Sequence, residues 1–88
     1  MFRIRWPKSV SRKLLAAIAK GNSDLESAIL SAMADIESSL RNEPEFVGES
    51  RDGDKRLLIV RPLSVVYKID HRRRTVQIRG VKVHRSKN

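Results

Sequence analysis

Cysteine is absent from this chain of 88 residues, and histidine occurs only twice. Without thiols the protein has no disulfide bonds and no thiolate metal site. Two histidines, His71 and His84, are too few for a dedicated zinc site. The sequence therefore predicts a fold stabilised by packing alone, with no metal and no small-molecule cofactor.

Long apolar runs are also missing. The longest, residues 14–19, is far shorter than the roughly 20 residues that a helix needs to cross a bilayer. Residues 1–20 are basic and free of acids, as in a targeting presequence. They also contain a predicted strand and a predicted helix that a small core requires. We therefore expect a mature, cytoplasmic protein that does not associate with membranes.

Aromatic side chains make up only 5% of the chain. Phe2, Trp6, Phe46 and Tyr67 all occupy positions that suit a hydrophobic core. A platform of aromatic rings that stacks on bases, as in RRM and OB domains, is therefore not expected. Glycine-rich phosphate-binding loops are not found either.

Positive charge is abundant, and it is unevenly distributed. The formal net charge is +9. Residues 1–50 contain seven basic and seven acidic side chains, whereas residues 51–88 contain twelve and three. The second part of the chain therefore carries the whole excess. Such an asymmetry indicates a polyanionic partner, either a nucleic acid or an acidic protein segment.

The chain is long enough for one domain, residues 1–88, and its first half predicts a strand and two helices. Residues 2–6 alternate apolar side chains with arginines, which is typical of a half-buried strand, and Pro7 ends it. Gly21 and Asn22 predict a left-handed end to the first helix, and Ser23 and Glu26 predict a capping box for the second. The apolar stripes comprise Val10, Leu14, Leu15 and Ile18 on the first helix, and Leu25, Ile29, Met33, Ile36 and Leu40 on the second.

Three strands are predicted in the second half, after a turn-rich segment at 44–55. The apolar phase of the last strand changes across Gly80, which predicts a β-bulge there. The predicted architecture is α+β, in which a two-helix hairpin packs on one face of an antiparallel β-sheet in the order βααβββ. The strands span residues 56–61, 63–70 and 74–84, and the residues of the last strand that face away from the helices are Thr75, Gln77, Arg79, Lys82 and His84.

Several segments, in this order, resemble the RelE/ParE toxin–antitoxin superfamily over nearly the whole chain. They are Ile4-Arg5-Trp6, the long second helix that ends at Leu40 and Pro44, the run from Arg56 to Val60, Val65-Val66-Tyr67-Lys68-Ile69-Asp70, and the run from Thr75 to Val81. The resemblance implies one of two activities. RelE-like members cleave mRNA on the ribosome without metal, whereas ParE-like members bind DNA gyrase and cleave no RNA. Both kinds are held inactive by an antitoxin with an acidic tail, which is the expected protein partner.

The resemblance also points to cationic site residues near the ends of the strands. Among residues on the open face only His84 is of a type that exchanges protons near neutral pH, and arginines can clamp a phosphate with two hydrogen bonds. The arginine that RelE-like enzymes place before the Val-Val-Tyr run is here Ser64, and the tail, residues 86–88, lacks their tyrosine. The candidate catalytic residues are Arg61, His84 and Arg85, and the candidate partner-binding residues are Arg56, Arg61, Arg79, Lys82 and Arg85.

Two functions remain open at this point. The serine at position 64 and the missing tail tyrosine favour a non-catalytic, ParE-like binding toxin or a degenerate relative. The alternative is a metal-independent, RelE-like mRNA endoribonuclease. The basic surface does not separate them, because an acidic antitoxin, gyrase and ribosomal RNA would all be attracted to it.

Overall fold

The computed structural model describes residues 1–85 of the chain. The tail at 86–88, named above for its missing tyrosine, lies outside the described residues. No helix within residues 1–85 is both long and apolar enough to cross a membrane. In chain order the elements are β1 Arg3–Arg5, α1 Lys8–Lys20, α2 Ser23–Asn42, α3 Pro44–Val47, β2 Glu49–Ser50, β3 Lys55–Val60, β4 Leu63–Asp70 and β5 Thr75–Val83.

The strands form one sheet in the order β1-β5-β4-β3-β2, and α1 and α2 pack on one of its faces. The predicted α+β class with a helical hairpin on the sheet is confirmed. The sheet is mixed, however, because β1 runs parallel to β5 whereas the other neighbours are antiparallel. β1 and β5 are far apart in the chain, so no tight turn imposes an antiparallel direction on them.

The core lies between the helices and the inner face of the sheet. The predicted stripe of α2 faces this core, since Ile29, Ile36 and Leu40 are buried and Leu25 and Met33 are partly buried. On α1 the prediction is wrong for Leu15, which is 64% exposed, because Val10, Leu14 and Ala17 form the buried stripe. The strands contribute Leu58, Leu63, Val65, Tyr67, Val76, Ile78 and Val81 to the same cluster.

The connection between α1 and α2 differs from the prediction in two details. Gly21 has φ −95° and ψ −173°, so the first helix does not end in a left-handed residue. The second helix is capped by Asn22, whose side-chain oxygen accepts a hydrogen bond from the Leu25 N–H at 2.9 Å. Ser23 is already helical, and the predicted capping box is therefore wrong. Asparagine is as good an N-cap as serine, and here the asparagine comes first.

The aromatic residues have different environments. Phe2 and Tyr67 are buried, and Trp6 joins β1 to α2 because its indole N–H donates to a Glu37 carboxylate oxygen at 2.7 Å. The prediction of a core position is wrong for Phe46, which is 75% exposed. It lies on α3, a short helix within the segment that the sequence pattern assigns only to turns.

The bulge in β5 lies where the sequence places it. Val66 pairs with Gly80 and Tyr67 pairs with Ile78, so Arg79 is the additional residue on β5. The extra residue shifts the alternation by one position. Val76 and Ile78 before the bulge and Val81 after it are consequently all buried.

Tyr67 gives a test of the core that depends on pH. Its hydroxyl donates to the Pro44 carbonyl at 2.6 Å, and burial raises the pKa of Tyr67 above its usual value of 10.0, although the nearby Arg56 guanidinium opposes this shift. Because the folded state holds the phenol proton more tightly than the unfolded state, this contribution to stability is present below about pH 10 and is lost as the pH rises through the folded-state pKa. Tyr67→Phe should cost about 1–3 kcal/mol at neutral pH, since the buried carbonyl loses its partner.

The measurement is urea denaturation of parent and variant at neutral pH and above about pH 10. We expect the difference in unfolding free energy to shrink at alkaline pH, because only the parent has a phenol to ionise. A difference that is constant over this range would contradict the assigned cause of the pKa shift.

Candidate functional site

One face of the sheet is covered by the helices, and the opposite, outer face carries cations. Arg79 and Lys82 of β5 are exposed there, as the sequence predicts. The parallel register of β1 places Arg3 beside Thr75 and Arg5 beside Gln77. Residues paired across neighbouring strands point to the same side of a sheet, so both arginines join this face. We call Arg3, Arg5, Arg79 and Lys82 the basic face.

Acidic side chains are absent from β1 and β5. Across the described part of the chain, no ion pair involves a residue of the basic face, and the pairs that form engage other cations. Lys68 of β4, for example, lies 3.1 Å from Asp54, and its hydrogen bond lowers the pKa of that carboxyl group. The four cations of β1 and β5 are therefore without an ion-pair partner among the described residues.

A cleft of about 940 Å³ lies at one end of the sheet, beside the connection between α1 and α2. All three candidate catalytic residues line this end cleft, so the structure brings them together. The lining consists of Lys20, Gly21, Asn22, Asp24, Leu25, Ala28, Arg61, Pro62, His84 and Arg85.

Pairing of the last three strands explains why these residues meet. Arg61 and Pro62 form the turn between β3 and β4, and Leu63 of β4 pairs with Val83 of β5. The backbone N–H of His84 donates to the Pro62 carbonyl at 2.7 Å. The end of β5 is thereby fixed against the turn, and Arg85 follows directly.

Ser64 contributes a contact that the sequence pattern did not predict. The residue lies on β4, directly after the turn, with only 9% of its surface exposed. Its hydroxyl oxygen lies 2.5 Å from Nε2 of His84. The alternation of side chains along the strands could have indicated this contact. Ser64 pairs with Lys82, and His84 lies two residues beyond Lys82, so its side chain is on the same face as Ser64.

Arg56 lies apart from the other candidate binding residues. It pairs with Tyr67 and so has inner-face parity. Its guanidinium donates to the Gly48 carbonyl at 2.5 Å and to the Ser50 hydroxyl at 3.5 Å, which ties the short strand β2 to β3. The structure therefore places Arg56 neither in the end cleft nor on the basic face.

The turn between β4 and β5 lies at the opposite end of the sheet from the end cleft. His71 is exposed and lies 3.6 Å from a Glu45 carboxylate oxygen. Arg74 has φ 51°, and its guanidinium lies 4.6 Å from the centre of the Phe2 ring. These side chains make local contacts and are remote from the three candidate catalytic residues.

Solved structures show what the chain is similar to. A chain of the toxin–antitoxin complex RelBE2 from Mycobacterium tuberculosis is 25% identical, with a TM-score of 0.70, and the alignment covers 96% of this chain and 98% of that one. The resemblance to the RelE/ParE superfamily is confirmed.

Two further structures share the RelE/ParE fold at lower identity. An archaeal RelE–RelB complex from Pyrococcus horikoshii is 16% identical, with a TM-score of 0.56 and coverage of 93% of each chain. A conserved hypothetical protein from Helicobacter pylori is 20% identical, with a TM-score of 0.52 and coverage of 96% of each chain. No protein-family profile matches the sequence, and no curated protein matches it significantly.

One departure from the RelE/ParE sequence pattern lies beside the end cleft. The position before the Val-Val-Tyr run, where RelE-like enzymes have arginine, is Ser64, and this serine contacts the candidate base His84. Arg61 and Arg85 line the same cleft. The departure from the pattern therefore removes one cation and adds a hydrogen-bonding partner for the imidazole.

Proposed function

We propose that this chain is the toxin of a type II toxin–antitoxin system and that it cleaves RNA at the end cleft without a metal ion. The observation that carries the proposal is the convergence of Arg61, His84 and Arg85 on one cleft. Support comes from two similar solved structures, which are a toxin–antitoxin complex and a RelE–RelB complex. An acidic-tailed antitoxin is the partner expected in the cytoplasm.

The cleft contains the groups that this chemistry requires. Cleavage begins when the 2′-oxygen of a ribose attacks the adjacent phosphorus, and the His84 imidazole takes the 2′-hydroxyl proton. The bond from phosphorus to the 5′-oxygen breaks, and that oxygen takes a proton from solvent. The products are a 2′,3′-cyclic phosphate and a 5′-hydroxyl. Arg61 and Arg85 stabilise the negative charge on the phosphate and exchange no proton, since guanidinium stays charged in proteins.

The basic face provides a path for the rest of the substrate strand. The nine residues of β5 span roughly 30 Å at about 3.3 Å per residue, and the end cleft lies beyond the last of them. Arg3, Arg5, Arg79 and Lys82 are distributed along this length, and none of them forms an ion pair among residues 1–85. An RNA strand on this face meets positive charge along the way to the cleft.

A second candidate function is a non-catalytic toxin that binds DNA gyrase. Ser64 favours it, because the arginine of RelE-like enzymes is missing from this position and the cleft has one cation fewer. In that case the basic face would bind a protein surface, and His84 would have no catalytic role.

Induced expression in bacteria separates the two candidates. We expect growth arrest together with cleavage of mRNA on ribosomes, without a DNA-damage response, and we expect co-expression of the cognate antitoxin to relieve the arrest. Arrest with a DNA-damage response and intact mRNA would instead identify the gyrase-binding toxin. Normal growth with intact mRNA would contradict both candidates.

The salt dependence of RNA binding tests the basic face. Each cation that neutralises a phosphate of a single strand contributes about 0.7 to the slope of log K against log salt concentration. The double variant Arg3→Ala/Arg5→Ala should therefore lower this slope by about 1.4. The matched control is Arg12→Ala/Lys13→Ala, which removes the same charge from exposed positions of α1 and should leave the slope nearly unchanged. Equal effects of the two double variants would mean that net charge alone attracts the RNA.

A further inference from the structure

His84 is held at two points. Its backbone N–H donates to the Pro62 carbonyl at 2.7 Å, which fixes the position of its Cα. Its ring nitrogen Nε2 lies 2.5 Å from the hydroxyl oxygen of Ser64. The imidazole is nevertheless exposed and lines the end cleft. A side chain that is both accessible and held by a specific partner is suited to a positioned reactive group.

Ser64 is a rigid support for this contact. It lies on β4, which has a paired neighbour on each side, and it pairs with Ile59 of β3 and Lys82 of β5. Only 9% of its surface is exposed, so its hydroxyl has little freedom to turn away. Because Ser64 engages Nε2, Nδ1 is the ring nitrogen that this contact leaves available.

We propose that Ser64 is a positioning residue, which accepts a hydrogen bond from the Nε2–H of His84 and so presents the unprotonated Nδ1 to the end cleft as the base. The role of Nδ1 as a base rests on the proposed function. The hydrogen bond between Ser64 and His84 is independent of that function.

The direction of the hydrogen bond follows from what a base requires. A neutral imidazole has one N–H and one nitrogen with a free lone pair. If Ser64 donated to Nε2, the proton would be on Nδ1 and no lone pair would face the cleft. If Nε2–H donates to Ser64, Nδ1 is free to take the 2′-hydroxyl proton, and the resulting imidazolium keeps the same hydrogen bond. Serine can accept this bond, whereas an arginine at position 64 has only donors.

Nuclear magnetic resonance of nitrogen-15-labelled protein tests the arrangement without any assay of activity. The sequence contains only two histidines, so His71 is an internal control in every spectrum. We expect the Nε2–H proton of His84 to give a signal that is protected from exchange with water at neutral pH. That signal should be lost in Ser64→Ala and retained in Ser64→Thr, while the signals of His71 stay the same. A Nδ1–H tautomer of His84 in the parent, or a protected signal that survives in Ser64→Ala, would overturn the proposal.

Single-turnover cleavage on programmed ribosomes tests the consequence. Loss of one orienting hydrogen bond should slow Ser64→Ala by about tenfold, with unchanged RNA affinity and with the rate restored in Ser64→Thr. A full rate in Ser64→Ala would refute a role for Ser64 in the reaction. If the parent cleaves no RNA while the protected signal behaves as expected, the proposed function fails and the Ser64–His84 arrangement stands. Circular dichroism and urea denaturation of each variant exclude unfolding as the cause of a lost signal or rate.

Discussion

Replacing His84 by glutamine should lower the rate of RNA cleavage by about 10²- to 10⁴-fold, which is the usual contribution of a general acid or base. Binding of RNA should survive, because glutamine keeps the size and polarity of the side chain and the arginines of the end cleft are untouched. The measurement is single-turnover cleavage on programmed ribosomes from about pH 5 to 9, together with RNA affinity. The pH dependence that a histidine base gives to the rate should disappear in the variant.

Two comparisons make this result specific. His71→Gln removes the other histidine, at the opposite end of the sheet, and should leave the rate unchanged. Arg61→Ala should weaken both binding and turnover, because a phosphate clamp acts in the ground state as well as in the transition state. A His84→Gln variant that cleaves as fast as the His71→Gln variant would exclude His84 as the base. The gyrase-binding candidate would then be preferred if expression still arrests growth.

Local patterns predicted most of the fold because each carries its own periodicity. The stripe of α2 and the alternation of β4 and β5 require only that apolar side chains share one face. Even the bulge was predictable, since one inserted residue is what reverses the apolar phase of a strand, and the phase reverses across Gly80. The strand that pairs with β1 was not predictable, because the pattern of a three-residue strand does not indicate which distant strand it will pair with. The parallel pairing with β5 is therefore visible only in three dimensions.

The errors in the fold have a common origin in short segments. Asn22 and Ser23 are adjacent residues with similar capping propensity, and propensity alone does not decide which of them begins the helix. The hydrophobicity of Phe46 predicts a core position, yet the turn-rich segment around it forms a short helix that leaves the ring exposed. Over four residues there is too little periodicity to tell an inner face from an outer one.

The candidate site was predictable in part. Arg61 is far from the adjacent pair His84 and Arg85 in the sequence, and the three meet because a hairpin turn and the end of the last strand coincide in the sheet. The sequence marks Ser64 only as the residue that replaces an arginine, because its hydrogen bond to His84 depends on the register of β4 and β5. Arg56 has the parity of the inner face of the sheet. Its guanidinium donates a hydrogen bond to the Gly48 carbonyl beside the edge strand β2 and does not reach the candidate site.

Replacing Ile36 by alanine should destabilise the fold by about 2–4 kcal/mol, through lost burial and the cavity that remains. Ile36 is a completely buried member of the α2 stripe, so surrounding side chains can fill the space only in part. The matched control is Leu30→Ala on the same helix, which removes a similar side chain from a residue that is 53% exposed and should cost less than about 0.5 kcal/mol. Urea denaturation measures both differences.

The expected loss is a large part of the total stability. At about 0.05–0.15 kcal/mol per residue, a chain of this length has an unfolding free energy on the order of 4–13 kcal/mol, so Ile36→Ala can remove most of the stability. Ile36→Val keeps the test quantitative, because it should cost only about 0.5–1.5 kcal/mol. Since Ile36 lies on the inner side of the sheet, that variant should also bind RNA as tightly as the parent. If Ile36→Ala were no more destabilising than Leu30→Ala, the packing of α2 against the sheet would be refuted.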